Sequence, residues 1–176
     1  MGALEELVSA RKIRYYDCSK YSGTQLQDAF DAAKNAGLKG FVTAQNPWSM
    51  LECSIEANLI PACLTNDIGL LPYYPIAQGL LTSKYRRGSV APAGSRLVGD
   101  RPWHHEFRPL RALETYAGDH GYDLLTLAIS WLAAQPSIAC IIFGASPPAQ
   151  VAVNANAARW KLSAGKLDEI DALLGA

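Results

Sequence analysis

The sequence predicts an α/β fold, a parallel sheet of four βα units amounting to half of a (βα)8 barrel. Three observations lead there. Short β-favouring runs alternate with stretches of helical apolar spacing along all 176 residues. Each predicted strand is followed by a helix, the pattern of parallel strands joined by right-handed crossovers. Eight such units close a barrel, and this chain has four.

Each element has its own local reason. Residues 13–18 are short, aromatic and β-favouring, so they read as a strand. Ser22 followed by Gln25 forms a capping box that opens a helix. Leu26, Ala29, Phe30 and Ala33 repeat at helical spacing within it, and Gly37 ends it. Residues 41–44 are the second strand. Residues 50–64 read as the second helix, with Pro61 bending its later part. Residues 68–73 are the third strand, and a long loop rich in Gly, Pro and Arg runs from 77 to 107. Two helical stretches, 110–117 and 124–134, are interrupted at His120-Gly121, and Pro136 closes the second. The fully apolar run 138–143 is the fourth strand. One helix follows Ser146-Pro147 and a last one covers 163–174. There is no internal repeat and no linker, so residues 1–176 read as a single domain. The strands at 13 and 138 would be open edges, which invite pairing with another copy. A homodimer that completes or covers the half barrel is the expected assembly.

Composition narrows the function. The chain has 16 basic and 16 acidic residues and a formal net charge of zero, against a nucleic-acid partner held by bulk positive charge. No apolar run spans a bilayer, so no membrane partner is expected. The N-terminus shows no basic stretch followed by an apolar core. Cys18, Cys53, Cys63 and Cys140 fall at irregular spacing without a CxxC pair. Four reduced thiols suit a cytoplasmic protein, and no metal site is read. Trp131 and Trp160 lie at apolar helical positions and read as core.

The junction Gly144-Ala145-Ser146-Pro147 turns a strand into a helix, with Ser146 placed to cap it and Pro147 in its first turn. Such an end favours an anion, and it is also a common αβ junction. Asp17, Lys20, Tyr73 and Tyr74 fall at the C-terminal ends of predicted strands, where barrels place chemistry. A Lys beside an Asp there is either an acid/base pair or a surface ion pair. In Trp103-His104-His105-Glu106, adjacent histidines point apart in an extended chain. One of them reaches a pocket as a general acid or base, or both belong to a polar loop. Lys84, Arg86, Arg87, Arg96 and Arg101 make this loop region basic.

Four ordered segments resemble the second half of aldo-keto reductases: residues 12–22 (KIRYYDCSKYS), 41–51 (FVTAQNPWSML), 71–85 (LPYYPIAQGLLTSKY) and 142–154 (IFGASPPAQVAVN). The resemblance covers roughly residues 4 to 174. It implies half of a barrel and a binding site for NADP(H). By this likeness Ser19 and Gln45 contact the nicotinamide amide and Tyr73 stacks on its ring. Lys84 lies in the loop over the pyrophosphate, and Gly144, Ser146, Gln150 and Asn154 hold the adenosine phosphate end. The family's catalytic Asp, Tyr, Lys and His belong to the half that these segments do not cover. Several positions depart from the family pattern. Lys20 replaces an Asn, Asp17 a Gly, Tyr74 a Ser and Ser83 a Gly. Pro147 stands where many relatives carry a basic residue, and Val153 where a Glu is usual. Trp48 and Met50 replace the family's Tyr and Leu, on the pocket wall or packed on the next helix.

Three functional readings follow. The first is a repurposed enzyme that runs a cyclisation, dehydration or isomerisation on a small molecule, in a setting such as secondary metabolism. Asp17, Lys20, Tyr73, Tyr74 and His104 or His105 are its candidate catalytic residues. The second is an NADP(H)-dependent carbonyl oxidoreductase that is incomplete alone or is a fragment. The third is a non-enzymatic nucleotide-binding module.

Overall fold

The structure is a computed structural model and describes residues 1–85 and 107–175. It is α/β, and the chain forms two compact units. The first comprises Met1–Trp48, Cys53–Tyr73 and Gln135–Ile142, and the second comprises Ser49–Glu52, Tyr74–Ala134 and Phe143–Ala176.

The first unit is built on a parallel sheet of three strands, β1 (Cys18–Ser19), β2 (Thr43–Gln45) and β3 (Gly69–Leu70), in the order β1-β2-β3. The register pairs Cys18 with Ala44 and Ala44 with Leu70. These three side chains form one buried row, with relative exposures of 5%, 0% and 0%. The next row pairs Ser19, which is exposed, with Gln45, which is half-buried. Successive strand residues face opposite ways, so one face of the sheet is closed and the other carries polar groups.

Helix α2 (Gly23–Asn35) opens with the predicted capping box. Gln25 N–H donates to Ser22 Oγ at 3.2 Å, and Ser22 N–H donates to Gln25 Oε1 at 2.9 Å. Leu26 and Ala33 are its buried positions, and Gly37 follows the helix at φ 66°. Gly23 has no substitute, because a Cβ there would collide with the Asn58 carbonyl at the start of α3 (Leu59–Thr65). Asn66 Nδ2 donates to Gln27 Oε1 at 2.8 Å and ties the two helices further. Helix α1 (Gly2–Ser9), which sequence patterning did not single out, is anchored by a polar relay. Tyr16 O–H donates to Glu5 at 2.8 Å and accepts from Gly40 N–H at 3.1 Å. Burial and the carboxylate of Glu5 both push the Tyr16 phenol upward.

Several predicted elements are shorter or absent. Helix α3 spans 59–65 rather than 50–64, and Pro61 lies in its first turn instead of bending its end. A first-turn N–H has no intrahelical acceptor, so proline costs little there. The predicted fourth strand is a single bridge between Leu70 and Ile138. Leu70 N–H donates to Ser137 O at 2.7 Å and Ala139 N–H to Leu70 O at 2.9 Å, which begins a regular parallel ladder. Pro72 then has no N–H to donate. Its carbonyl accepts from Ile142 at 2.9 Å, one residue beyond the regular position, so the register slips. The sheet of the described residues therefore has three strands rather than four.

The second unit packs four helices: α4 (Phe107–Asp119), α5 (Leu124–Ala133), α6 (Pro148–Asn156) and α7 (Ala164–Leu174). Asp123 caps α5 by accepting from Thr126 N–H at 2.7 Å. Helix α5 is buried along most of its length. Of its two buried hydroxyl residues, Thr126 and Ser130, the latter is satisfied twice. It donates to Ala157 O at 3.0 Å and accepts from Trp160 N–H at 3.2 Å, which removes the penalty of a buried polar group. Trp131 and Trp160 are core as predicted, at 2% and 6% exposure, although Trp160 is in extended backbone after a 3₁₀ turn and not at a helical position. Trp131 Nε1 donates to Asp171 of α7 at 3.2 Å, and Tyr122 stacks on Trp160 with centroids 4.3 Å apart. Part of the predicted loop is ordered as a 3₁₀ segment, Ala77–Thr82. None of the helices among the described residues is long and apolar enough to cross a membrane.

Candidate functional site

Within the first unit, Ser19, Lys20, Gln45 and Tyr73 lie at or just beyond the C-terminal ends of the strands, whereas Asp17 precedes β1, which begins at Cys18 instead of ending there as predicted. The pairing of β2 with the chain after β3 continues past the strands. Leu71 N–H donates to Ala44 O at 2.9 Å, Tyr73 N–H to Asn46 O at 3.1 Å and Trp48 N–H to Tyr73 O at 3.3 Å. Tyr73 is thereby fixed beside the Gln45-Asn46 step and is half-buried. Ser19 Oγ donates to Gln45 O at 3.0 Å, and Lys20 N–H donates to the same carbonyl at 3.0 Å. Lys20 sits at φ 62°, in the left-handed region. Asp17 and Lys20 are both exposed, and among the described residues no ion pair joins them. Trp48 is buried at 1% exposure, with its Nε1 donating to Glu56 Oε1 at 2.8 Å.

Sequence patterning missed one residue of this end, Asn46. Asn46 is 5% exposed, and its Nδ2 donates to the Tyr21 carbonyl at 3.1 Å. Its Oδ1 is buried with no hydrogen-bond partner among the described residues. The only sequence signal is position: Asn46 lies between Gln45 and Pro47, and a residue before proline is held extended.

The other candidates belong to the second unit. Tyr74 is exposed and left-handed at φ 58°, which starts a strained stretch. Ala77, Gln78 and Ser83 also have φ between 44° and 57°. Non-glycine residues in this region store strain, which collects at ligand-binding loops. Gly79 sits at φ 102°, a backbone angle that residues with a Cβ rarely adopt, and the end of the Lys84 side chain lies over it. Lys84 Nζ lies 5.1 Å from the centroid of the Tyr85 ring. Met50 is buried at 3% exposure.

At the predicted phosphate junction the cap differs from expectation. Pro147 rather than Ser146 is the N-cap of α6, and Pro148 occupies its first turn. Ser146 instead offers its backbone N–H, which donates to Gln150 Oε1 at 2.9 Å. The Gln150 oxygen occupies the place an anion's oxygen would take at a helix start. An exposed glutamine can turn away from such a donor and leave it open. Gly144 and Gln150 are exposed and Asn154 is half-buried. His104 and His105 lie outside the described residues.

The four cysteines are free. Burial pushes the Cys18 thiol up to about 11, helped by Asp17, and burial does the same to Cys63, also to about 11. Both are protonated at neutral pH, and neither is a nucleophile. Among the described residues no group of three His, Cys, Asp or Glu side chains could hold a metal ion.

The order of these residues on successive strands agrees with a family match. The sequence matches the aldo/keto reductase family over residues 1–174. The chain belongs to the aldo/keto reductase family. The protein tas of Escherichia coli is 31% identical over 178 residues, covering 98% of this chain and 51% of that protein. A probable voltage-gated potassium channel subunit beta of Arabidopsis thaliana is 30% identical over 152 residues, covering 81% of this chain and 46% of that protein. The NADH-specific methylglyoxal reductase of Escherichia coli is 27% identical over 169 residues, covering 93% of this chain and 49% of that enzyme. The chain thus spans about half the length of these aldo/keto reductase relatives.

Proposed function

We propose that this chain is the nucleotide-binding part of an NAD(P)H-dependent carbonyl oxidoreductase. The observation that carries the reading is the convergence of Ser19, Gln45 and Tyr73 on neighbouring segments at one end of the sheet, in a member of the aldo/keto reductase family. The bound cofactor supplies a hydride to the carbonyl. The chain's own residues bind and orient it. Gln45 offers a half-buried amide and Tyr73 a half-buried ring at the nicotinamide end. Ser146 N–H and Gln150 serve the phosphate end, with Asn154 on the same helix. Lys84 lies against Gly79 on the strained loop and supplies a cation for the pyrophosphate.

The relatives are about twice as long as this chain, so the acid that protonates the product oxygen comes from the other half of the family's barrel. Calorimetric titration with NADPH, then NADH, tests the reading. Micromolar binding of either supports it, and no binding at millimolar concentration removes it. In isolation the chain is expected to form a homodimer through the open edges of the half barrel, away from the nicotinamide end. A monomer by light scattering at micromolar concentration would rule the dimer out.

A second reading gives Asp17, Lys20, Tyr73 and Tyr74 an acid/base role on a small molecule, as a cyclase, dehydratase or isomerase. What favours it is the left-handed backbone at Lys20 and Tyr74, where strain accompanies function. Turnover that survives replacement of both Asp17 and Lys20 by Ala sinks it. Nucleotide binding without turnover, even with the other half of the barrel supplied, would instead indicate a nucleotide-binding module.

A further inference from the structure

We propose that Asn46 is a positioning residue, clamping the turn after β1 so that Ser19 and Lys20 are held at the nicotinamide end of the site. The proposal rests on the nucleotide-binding reading above.

Three hydrogen bonds join the Ser19-Lys20-Tyr21 turn to the Gln45-Asn46 step. Ser19 Oγ and Lys20 N–H both donate to the Gln45 carbonyl at 3.0 Å, and Asn46 Nδ2 donates to the Tyr21 carbonyl at 3.1 Å. The turn they hold is unfavourable by itself, because Lys20 is left-handed at φ 62° and carries a Cβ. Ser19 and Lys20 are exposed, so their two bonds compete with water. The Asn46 bond comes from a side chain only 5% exposed and is shielded from that competition.

Asn46 follows Ala44 by two residues and so continues the buried row of the closed face, whereas Gln45 lies on the opposite face. It acts on the site from behind, through Tyr21 and Lys20. Its orientation is set by chemistry, since the Tyr21 carbonyl is an acceptor and must face the NH₂ group. The other end of the amide, Oδ1, is then buried without a partner among the described residues. A buried unsatisfied acceptor destabilises the fold, and leucine has nearly the same volume without that penalty. Packing therefore does not account for an amide at this position, and its donor does.

The test is the Asn46→Leu variant of the whole chain, read two ways. Amide hydrogen exchange resolved by NMR reads the clamp. The Lys20 amide is expected to exchange about tenfold faster, while the Leu70 amide in β3 is unchanged. Calorimetry reads the site. NADPH affinity is expected to fall about fivefold, while adenosine 2′,5′-bisphosphate, which lacks the nicotinamide end, binds as before. A purely structural role would weaken both ligands alike or neither. An unchanged Lys20 exchange rate, or equal loss for both ligands, overturns the proposal. If Asn46→Leu does not fold, Asn46→Ser removes the same reach with less change of surroundings and is read identically. A wild-type chain that binds neither ligand overturns the nucleotide reading and the site role with it, while the exchange measurement still decides the clamp.

Discussion

The two faces of the three-stranded sheet share a backbone and differ in everything else. One face carries Cys18, Ala44 and Leu70 in a row, all but removed from solvent. The other carries Asp17, Ser19 and Gln45, polar and at least partly accessible. Side chains alternate along a strand, so stability and recognition occupy neighbouring positions without competing for the same one. Substitutions one residue apart should therefore separate the two properties, and four measurements would break or sharpen that division.

The largest effect is expected on the closed face. Leu70→Ala empties a fully buried site and should lower unfolding free energy by about 3 kcal/mol. Chemical denaturation measures it. A loss under about 1 kcal/mol would mean that the row is not core.

Next comes a pH effect of the same face. Cys18 and Cys63 each titrate near 11 in the folded chain, against an ordinary 9.0. The folded state holds these protons more tightly, so their contribution is fully present below pH 9.0 and is lost as pH rises toward 11. The unfolding free energy should fall over that window, by up to roughly 2–3 kcal/mol per thiol, and Cys63→Ala should flatten the slope.

On the polar face the sign of the comparison reverses. Gln45→Ala should leave stability within about 0.5 kcal/mol, as expected of a partly exposed position. It should nevertheless cost about tenfold, roughly 1.4 kcal/mol, in NADPH affinity by calorimetry. Stability loss without affinity loss would assign Gln45 to structure.

The smallest effect tests the strained turn. Lys20→Gly removes the Cβ from a left-handed residue and should raise unfolding free energy by about 0.5 kcal/mol, net of glycine's greater freedom when unfolded. A decrease would mean that Lys20 contributes contacts that outweigh its strain.

Much of the architecture was legible in local chemistry. The Ser22-Gln25 box, the apolar spacing of Leu26 and Ala33, and the helical setting of Trp131 are local or periodic signals, and each appears where expected, whereas Trp160 is buried as predicted but sits in extended backbone just after a 3₁₀ turn. Helix α3 was misplaced because Met50 and Ile55 are buried without being helical. The fourth strand failed for a partner's reason. Residues 138–143 are β-favouring, but Pro72 on the neighbouring segment lacks the donor to continue the ladder. No property of the run itself reveals that.

The candidate site divides the same way. The identities of Ser19, Gln45, Tyr73 and Ser146, and their order along the chain, were determined by the sequence and its family resemblance. Tertiary structure alone decided that Asn46 reaches back to Tyr21, that Lys20 is left-handed, and that Pro147 rather than Ser146 caps α6. Identity and periodicity are written residue by residue. A hydrogen bond across 25 residues, or the backbone angle it imposes, exists only once the strands have paired.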